Sequence, residues 1–238
     1  MRDWGVPVLL FVGLTVPFWV SNLDLAVASR FYTPGLGFVH GGDQPWGVLK
    51  DYGVVPAWIL SLGALGVFVS SLWSRRGRVH QRAALFLVLA MMIGPGVIVN
   101  DVFKEHWGRP RPKDVVELGG DRAYVRPWVK HPPADGGSFP SGHAATAFYL
   151  LTPFFLLRRR APARAFGWLV LGLAYGLLMG TARVVQGAHF PSDVLWSLAF
   201  VYFTGLALSY LLRIGRQDPR HGDQRRGVAS DPARGLSP

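Results

Sequence analysis

The chain has no cysteine, which excludes disulfides and thiolate metal centres and leaves the redox compartment unread. Charge is scarce as well: Asp, Glu, Lys and Arg make up 16% of the 238 residues, against about 25% in soluble proteins. Acidic residues are the scarcer sign, 14 against 25 basic ones, for a formal net charge of +11. Such an excess can serve nucleic acid, but here the basic residues are bunched between apolar runs. Bunching of that kind is what positive loops flanking membrane spans produce, so membrane lipids, and no nucleic acid, are the expected partners.

What the sequence has in quantity is apolar. Half of its residues are hydrophobic, with 9 Trp and 15 Phe. Six apolar stretches, at about 4–20, 53–73, 83–103, 142–157, 165–182 and 194–212, mostly approach the ~20 residues a helix needs to cross a bilayer. The fourth is short and reaches that length only if its helix begins within Pro140-Ser141-Gly142-His143. The expected fold is therefore all-α: a polytopic membrane protein whose residues 1–215 form a six-transmembrane-helix bundle.

Orientation follows from the Lys and Arg count between spans. Arg2, then Arg75, Arg76, Arg78 and Arg82, then Arg158, Arg159, Arg160 and Arg164, fall on one face together with the basic C-terminal tail. That face is cytoplasmic, and so are both termini. The first run, with Arg2 before it and Ala26-Val27-Ala28 after it, resembles a cleaved signal peptide. The small-residue site lies past Asn22 and Asp24, however, so a retained span is expected. Residues 216–238 are rich in Arg, Asp and Gly, and disorder is expected there. Trp4, Trp19, Trp73, Trp168 and Trp196 lie near span ends, as an interfacial belt requires. Gly172, Gly176 and Gly180 give the fifth span a smooth face for close packing, either at the centre of the bundle or in a dimer.

Three stretches carry chemistry: Lys104 to Pro112, Pro140 to His143, and Arg183 to Asp193. With six spans all three open on the outer face. Lys104, Arg111 and Arg183 supply three cations, for which phosphate is the natural match. Ser141 and Gly142 would open a helix whose free backbone N–H groups favour an anion. A carboxylate at Asp193, bonded to one ring nitrogen of His189, would leave the other free to attack phosphorus. His143 could protonate the departing oxygen and then activate water. Taken singly, these are a capped helix start, a lipid-holding basic cluster and an interfacial histidine. Together, in order and on one face, they read as a phosphate-handling site. His40, His106 and His131 get no such role. His143 and His189 lack a third histidine or a Cys, and three cations beside them would repel a metal, so no metal or other cofactor is expected.

These stretches resemble the phosphatidic acid phosphatase type 2 superfamily, also called lipid phosphate phosphatases, with its signatures Lys-x6-Arg-Pro, Pro-Ser-Gly-His and Ser-Arg-x5-His-x3-Asp. One departure is visible: Ala182 stands where the family usually has Ser. The resemblance implies a membrane phosphatase with His189 as nucleophile, Asp193 orienting it and His143 as acid then base. Lys104, Arg111, Ser141, Gly142 and Arg183 would bind phosphate. Within the superfamily, Phe31-Tyr-Thr-Pro-Gly, the form of the first signature and Gln186-Gly-Ala-His resemble bacterial lipid A phosphatases. That implies a multi-pass protein of the bacterial inner membrane, with its site facing the periplasm and lipid A or another phospholipid as substrate. Undecaprenyl pyrophosphate and phosphatidylglycerophosphate are the alternative substrates, and phosphate transfer between lipids is the alternative reaction.

Overall fold

The computed structural model describes residues 2–74, 78, 80–132 and 137–214. Arg75, Arg76 and the tail at 216–238 lie outside the described residues. The elements are helices α1 (Arg2–Val20), α2 (Leu23–Ala28), α3 (Trp46–Tyr52), α4 (Val55–Trp73), α5 (Gln81–Met91) and α6 (Glu105–Trp107), then α7 (Gly142–Phe148), α8 (Pro153–Leu157), α9 (Pro162–Val185) and α10 (Pro191–Leu211). No strand occurs among the described residues, only isolated bridges at Thr33–Gly37 and Val115–Arg122.

Five stretches are long and apolar enough to cross a membrane: Asp3–Val20, Trp46–Trp73, Gln81–Asp114, Pro162–Val185 and Pro191–Leu211. Gly142–Leu157 is apolar but shorter. Its position accounts for the difference. Residues 144–153 are buried without a break, packed against α9, α10 and the residues after α5. An inner helix need not match the lipid thickness. It is also not one regular helix, because a tight turn at Tyr149–Leu151 and Pro153 divide α7 from α8. Large apolar side chains on α1, α4 and α9, among them Leu9, Ile59 and Phe166, are exposed instead, as lipid-facing residues would be.

Gly172, Gly176 and Gly180 of α9 serve packing inside this chain. A Cβ at Gly172 would overlap the Leu151 backbone, one at Gly176 the Phe148 ring, and one at Gly180 the Val194 side chain. Close helix approach thus locks α9 onto α7, the turn after it and α10, giving α9 the central place that its glycine spacing suggested.

Between α5 and α6 the helix is wound wide, as a π-helix, over Met92–Lys104. Pro95 lies inside it and has no N–H to give to a preceding turn. The Asn100 side chain caps the Pro95 carbonyl with a 2.7 Å bond. The same Asn100 sets the approach of the second signature: a Cβ on Gly142 would come within 2.7 Å of its Oδ1. Trp196 departs from the interfacial belt, packing edge-on against Trp128 at 4.6 Å in a cluster with Phe103, Trp107, Phe139 and Phe200. That cluster supports the chain just before Pro140.

Candidate active site

The turn from α9 to α10 is fixed by its own sequence. Gly187 adopts φ +61°, a left-handed conformation that glycine takes without strain, and its bare Cα lies against the Phe38 ring. The amides of Ala188 and His189 fold back onto the Arg183 carbonyl at 3.0 and 3.3 Å. Phe190 then extends, Pro191 opens α10, and the Asp193 carboxylate accepts the Phe190 amide at 2.8 Å. Asp193 is thus first a helix-capping carboxylate in the opening turn, where the helix dipole favours its charge.

His189 is 2% exposed, and its Nδ1 lies 2.6 Å from the Ser138 carbonyl oxygen. A carbonyl only accepts, so Nδ1 carries the proton and Nε2 keeps its lone pair. The expectation that Asp193 itself bonds this nitrogen is modified by the geometry, since its Oδ2 stands 3.8 Å from Nδ1, beyond hydrogen-bond range. Asp193 reaches the ring through Ser138, whose hydroxyl donates to Oδ2 at 2.6 Å while its carbonyl accepts the imidazole N–H. Burial holds the His189 pKa below its ordinary value, with Asp193 and the Ser138 carbonyl pulling the other way.

The other carboxylate oxygen of Asp193 is paired with Arg109, a residue that the sequence reading passed over. Arg109 is wholly buried and uses its whole fork. Nε donates to the Val125 carbonyl at 2.8 Å, one amino group to Ser192 Oγ at 2.8 Å and to Asp193, and the other to Asp24 Oδ2 at 2.7 Å. The Ser192 amide and hydroxyl donate to Asp24 at 3.0 and 2.5 Å, and the guanidinium lies 4.5 Å from the Phe190 ring centre. A carboxylate at the end of the first span is in this way tied to the third signature. In sequence it shows only as a lone acid in the otherwise apolar run Leu-Asp-Leu-Ala-Val-Ala.

Around this core stand the cations. Lys104, Arg111 and Arg183 lie within electrostatic reach of one another, and His143 within reach of Arg183, His189, Lys104 and Lys50. Arg183 donates to Gln186 Oε1 at 2.5 Å, and Gln186 in turn donates to the Trp46 carbonyl at 2.9 Å. Arg183 Nε is buried with no hydrogen-bond partner. Ser141 caps α7, accepting the Ala144 amide at 3.4 Å, and its own amide donates to Ser197 Oγ at 2.9 Å on α10. The second and third signatures therefore meet directly, and the first joins them through Lys104 and Arg109. Ala182 is fully buried. His40 pairs with Asp43 on the surface, and the His106 Nδ1 lies against carbonyls of its own helical stretch, so neither enters the site. Among the described residues no three His, Asp or Glu side chains are grouped to hold a metal ion.

A helical membrane bundle with such a phosphate-type centre at one end defines a class, and the comparisons give it a family. Residues 83–215 match the PAP2 superfamily, and the chain belongs to it. It is 32% identical over 207 residues to the lipid A 4'-phosphatase of Francisella tularensis subsp. novicida (strain U112), covering 82% of this chain and 91% of that one. It is 35% identical over 120 residues to the lipid A 4'-phosphatase of Rhizobium etli, covering 49% of this chain and 46% of that protein. It is 33% identical over 121 residues to the lipid A 1-phosphatase of Rhizobium johnstonii, covering 50% and 45%. The chain thus spans less than half the length of these two Rhizobium proteins. No solved structure gives a significant match.

Proposed function

We propose that this protein is a membrane lipid phosphatase that removes a phosphate monoester from a lipid headgroup through a phosphohistidine on His189. The observation that carries the reading is a buried imidazole with its Nε2 lone pair free, set among cations and beside a buried Arg183 Nε that has no partner. A phosphate oxygen would satisfy that donor.

In the first step Nε2 attacks phosphorus, the phosphorus–ester oxygen bond breaks, and His143 gives the departing oxygen a proton. In the second step His143 takes a proton from water, whose oxygen attacks phosphorus as the P–N bond breaks, releasing inorganic phosphate. Lys104, Arg111 and Arg183, with Ser141 and Gly142 on the facing wall, hold the equatorial oxygens as their charge grows. Asp193, acting through Ser138, keeps the His189 tautomer and stabilises the imidazolium character that develops on attack.

Lipid A, at its 1- or 4'-phosphate, is the substrate that the names of the relatives favour. An apolar groove of about 350 Å³ between α9 and the start of α10, lined by Val27, Phe31, Leu177, Val184 and Leu198 among others, suits an acyl chain. Counting the shorter Gly142–Leu157 as a sixth crossing would put both termini in the cytoplasm and the site on the periplasmic face of the bacterial inner membrane, an orientation that the charge count supports. The test is phosphate release from purified protein on lipid A, undecaprenyl pyrophosphate and phosphatidylglycerophosphate, side by side with His189→Ala. Full activity in the variant would end the proposal, and labelled phosphate passing to an acceptor lipid rather than to water would make the enzyme a phosphotransferase.

A further inference from the structure

Beside the phosphate cluster lies a polar cleft of about 360 Å³, whose lining includes Lys50, Arg111, Lys113, Arg183 and Gln186. Arg111 and Arg183 belong to the signatures, whereas Lys50 and Lys113 belong to none. Lys50 comes from α3, and Lys113 from the short 3-10 turn Pro112–Asp114. The two walls are fixed. The Lys113 amide donates to the Gly187 carbonyl at 3.0 Å, Gln186 spans from Arg183 to the Trp46 carbonyl, and Gly41 packs so tightly that a Cβ there would come within 3.0 Å of Gln186 Cα. Lys50 is near enough to act electrostatically on His143, and the cleft shares Arg111 and Arg183 with the phosphate cluster.

The charge balance of this cleft is one-sided. Among the described residues no acidic side chain comes within ion-pair distance of Lys50, Lys104, Arg111, Lys113 or Arg183. Like charges held together without an ion-pair partner repel one another, and an anion drawn into the cleft relieves that. One phosphate monoester dianion engages the three signature cations and leaves Lys50 and Lys113 uncompensated.

We infer that Lys50 and Lys113 form a second oxyanion subsite, which takes a further phosphate or carboxylate carried by the same headgroup as the scissile phosphate. The inference rests on the lipid phosphatase reading and deepens it: the preferred substrate is a polyanionic headgroup, with its second charge lodged toward the 38–50 segment. Both side chains are exposed, so each contributes modestly, and the strength comes from their sharing one ligand.

The test compares three lipids with identical acyl chains in neutral detergent micelles: one headgroup phosphate, two phosphates, and one phosphate with a carboxylate in place of the second. The wild type is expected to show a lower KM for both doubly substituted lipids than for the first. In Lys50→Gln and Lys113→Gln that advantage should shrink by about fivefold each, with Lys50→Arg retaining most of it. Loss confined to the phosphate arm or to the carboxylate arm identifies which oxyanion the subsite takes. An unchanged ratio between lipids in both glutamine variants overturns the inference while leaving the phosphatase reading intact. So does an effect that vanishes in neutral micelles and appears only in anionic vesicles, since the lysines then hold bystander lipid. Absence of hydrolysis of all three lipids by the wild type defeats the phosphatase reading itself.

Discussion

Arg109 holds Asp193 by one carboxylate oxygen, while Ser138 and the Phe190 amide hold the other. The carboxylate is thereby immobilised without touching the imidazole that it serves. Arg109→Met leaves Asp193 and Asp24 buried without their counter-charge, and removing one member of a buried ion pair costs about 3–5 kcal/mol. Its thermal midpoint in detergent should fall markedly. Arg109→Lys should recover only part of it, because an ammonium cannot bridge both carboxylates and the Val125 carbonyl with a planar fork. A wild-type midpoint for Arg109→Met would show that the network carries no stability.

Asp24 lies at the far end of that network. Asp24→Asn keeps its shape but removes its charge, and it touches no group that meets substrate. The expected result is reduced kcat with little change in KM, because Asp193 is displaced rather than the phosphate cations. An effect on KM alone would place Asp24 in substrate binding instead.

In the proposed mechanism His143 serves both chemical steps. His143→Ala should lower turnover of a lipid substrate by about 10²–10⁴-fold. A substrate whose leaving group needs no proton should still phosphorylate His189, giving a burst of alcohol release without matching free phosphate. Equal loss on both substrates would remove His143 from the acid role.

Burial lowers the His189 pKa below 6.5, and the proposed nucleophile is the neutral ring. Activity should therefore persist as pH falls through 6.5 and fail only at lower pH, where the ring finally protonates. Asp193 pulls this pKa upward, so in Asp193→Asn the acid limb of kcat/KM should move further down while the plateau drops. An acid limb above 6.5 in the wild type would contradict the buried, neutral imidazole.

Vanadate, which adopts the five-coordinate geometry of phosphorus under attack, is expected to inhibit competitively, and a chelator to leave activity unchanged. Strong chelator sensitivity would mean that a metal performs part of what is assigned here to Lys104, Arg111 and Arg183.

The parts of this site visible in the sequence are those that spacing encodes. Lys104, Arg111, His143, Arg183, His189 and Asp193 stand at fixed separations beside apolar runs, and their meeting at one end follows from where those runs begin and stop. Arg109 was hidden by its neighbour: two arginines flank Pro110, and spacing alone does not tell which turns to the cleft and which to the interior. Asp24 is remote in sequence from both of its partners, so only the folded bundle brings them together. Ser138 accepts the imidazole N–H through a main-chain oxygen, which no side-chain identity records. The fourth apolar run was legible as a helix, but its break at Pro153 and its enclosure by α9 and α10 were not, since periodicity cannot separate an inner helix from a lipid-facing one. The wide winding over Met92–Lys104, with Asn100 reaching back to Pro95, likewise has no composition cue.

The bridge from Asp24 through Arg109 to Asp193 also sets an order on assembly. A ribosome delivers the first carboxylate and the guanidinium long before residue 193, so in the growing chain the arginine has only one of its two acids. Its second arrives with α10. A nascent chain halted ahead of α10 would carry that unfinished charge at its heart, and the end of the bundle that holds Asp193 could not close until α10 had inserted.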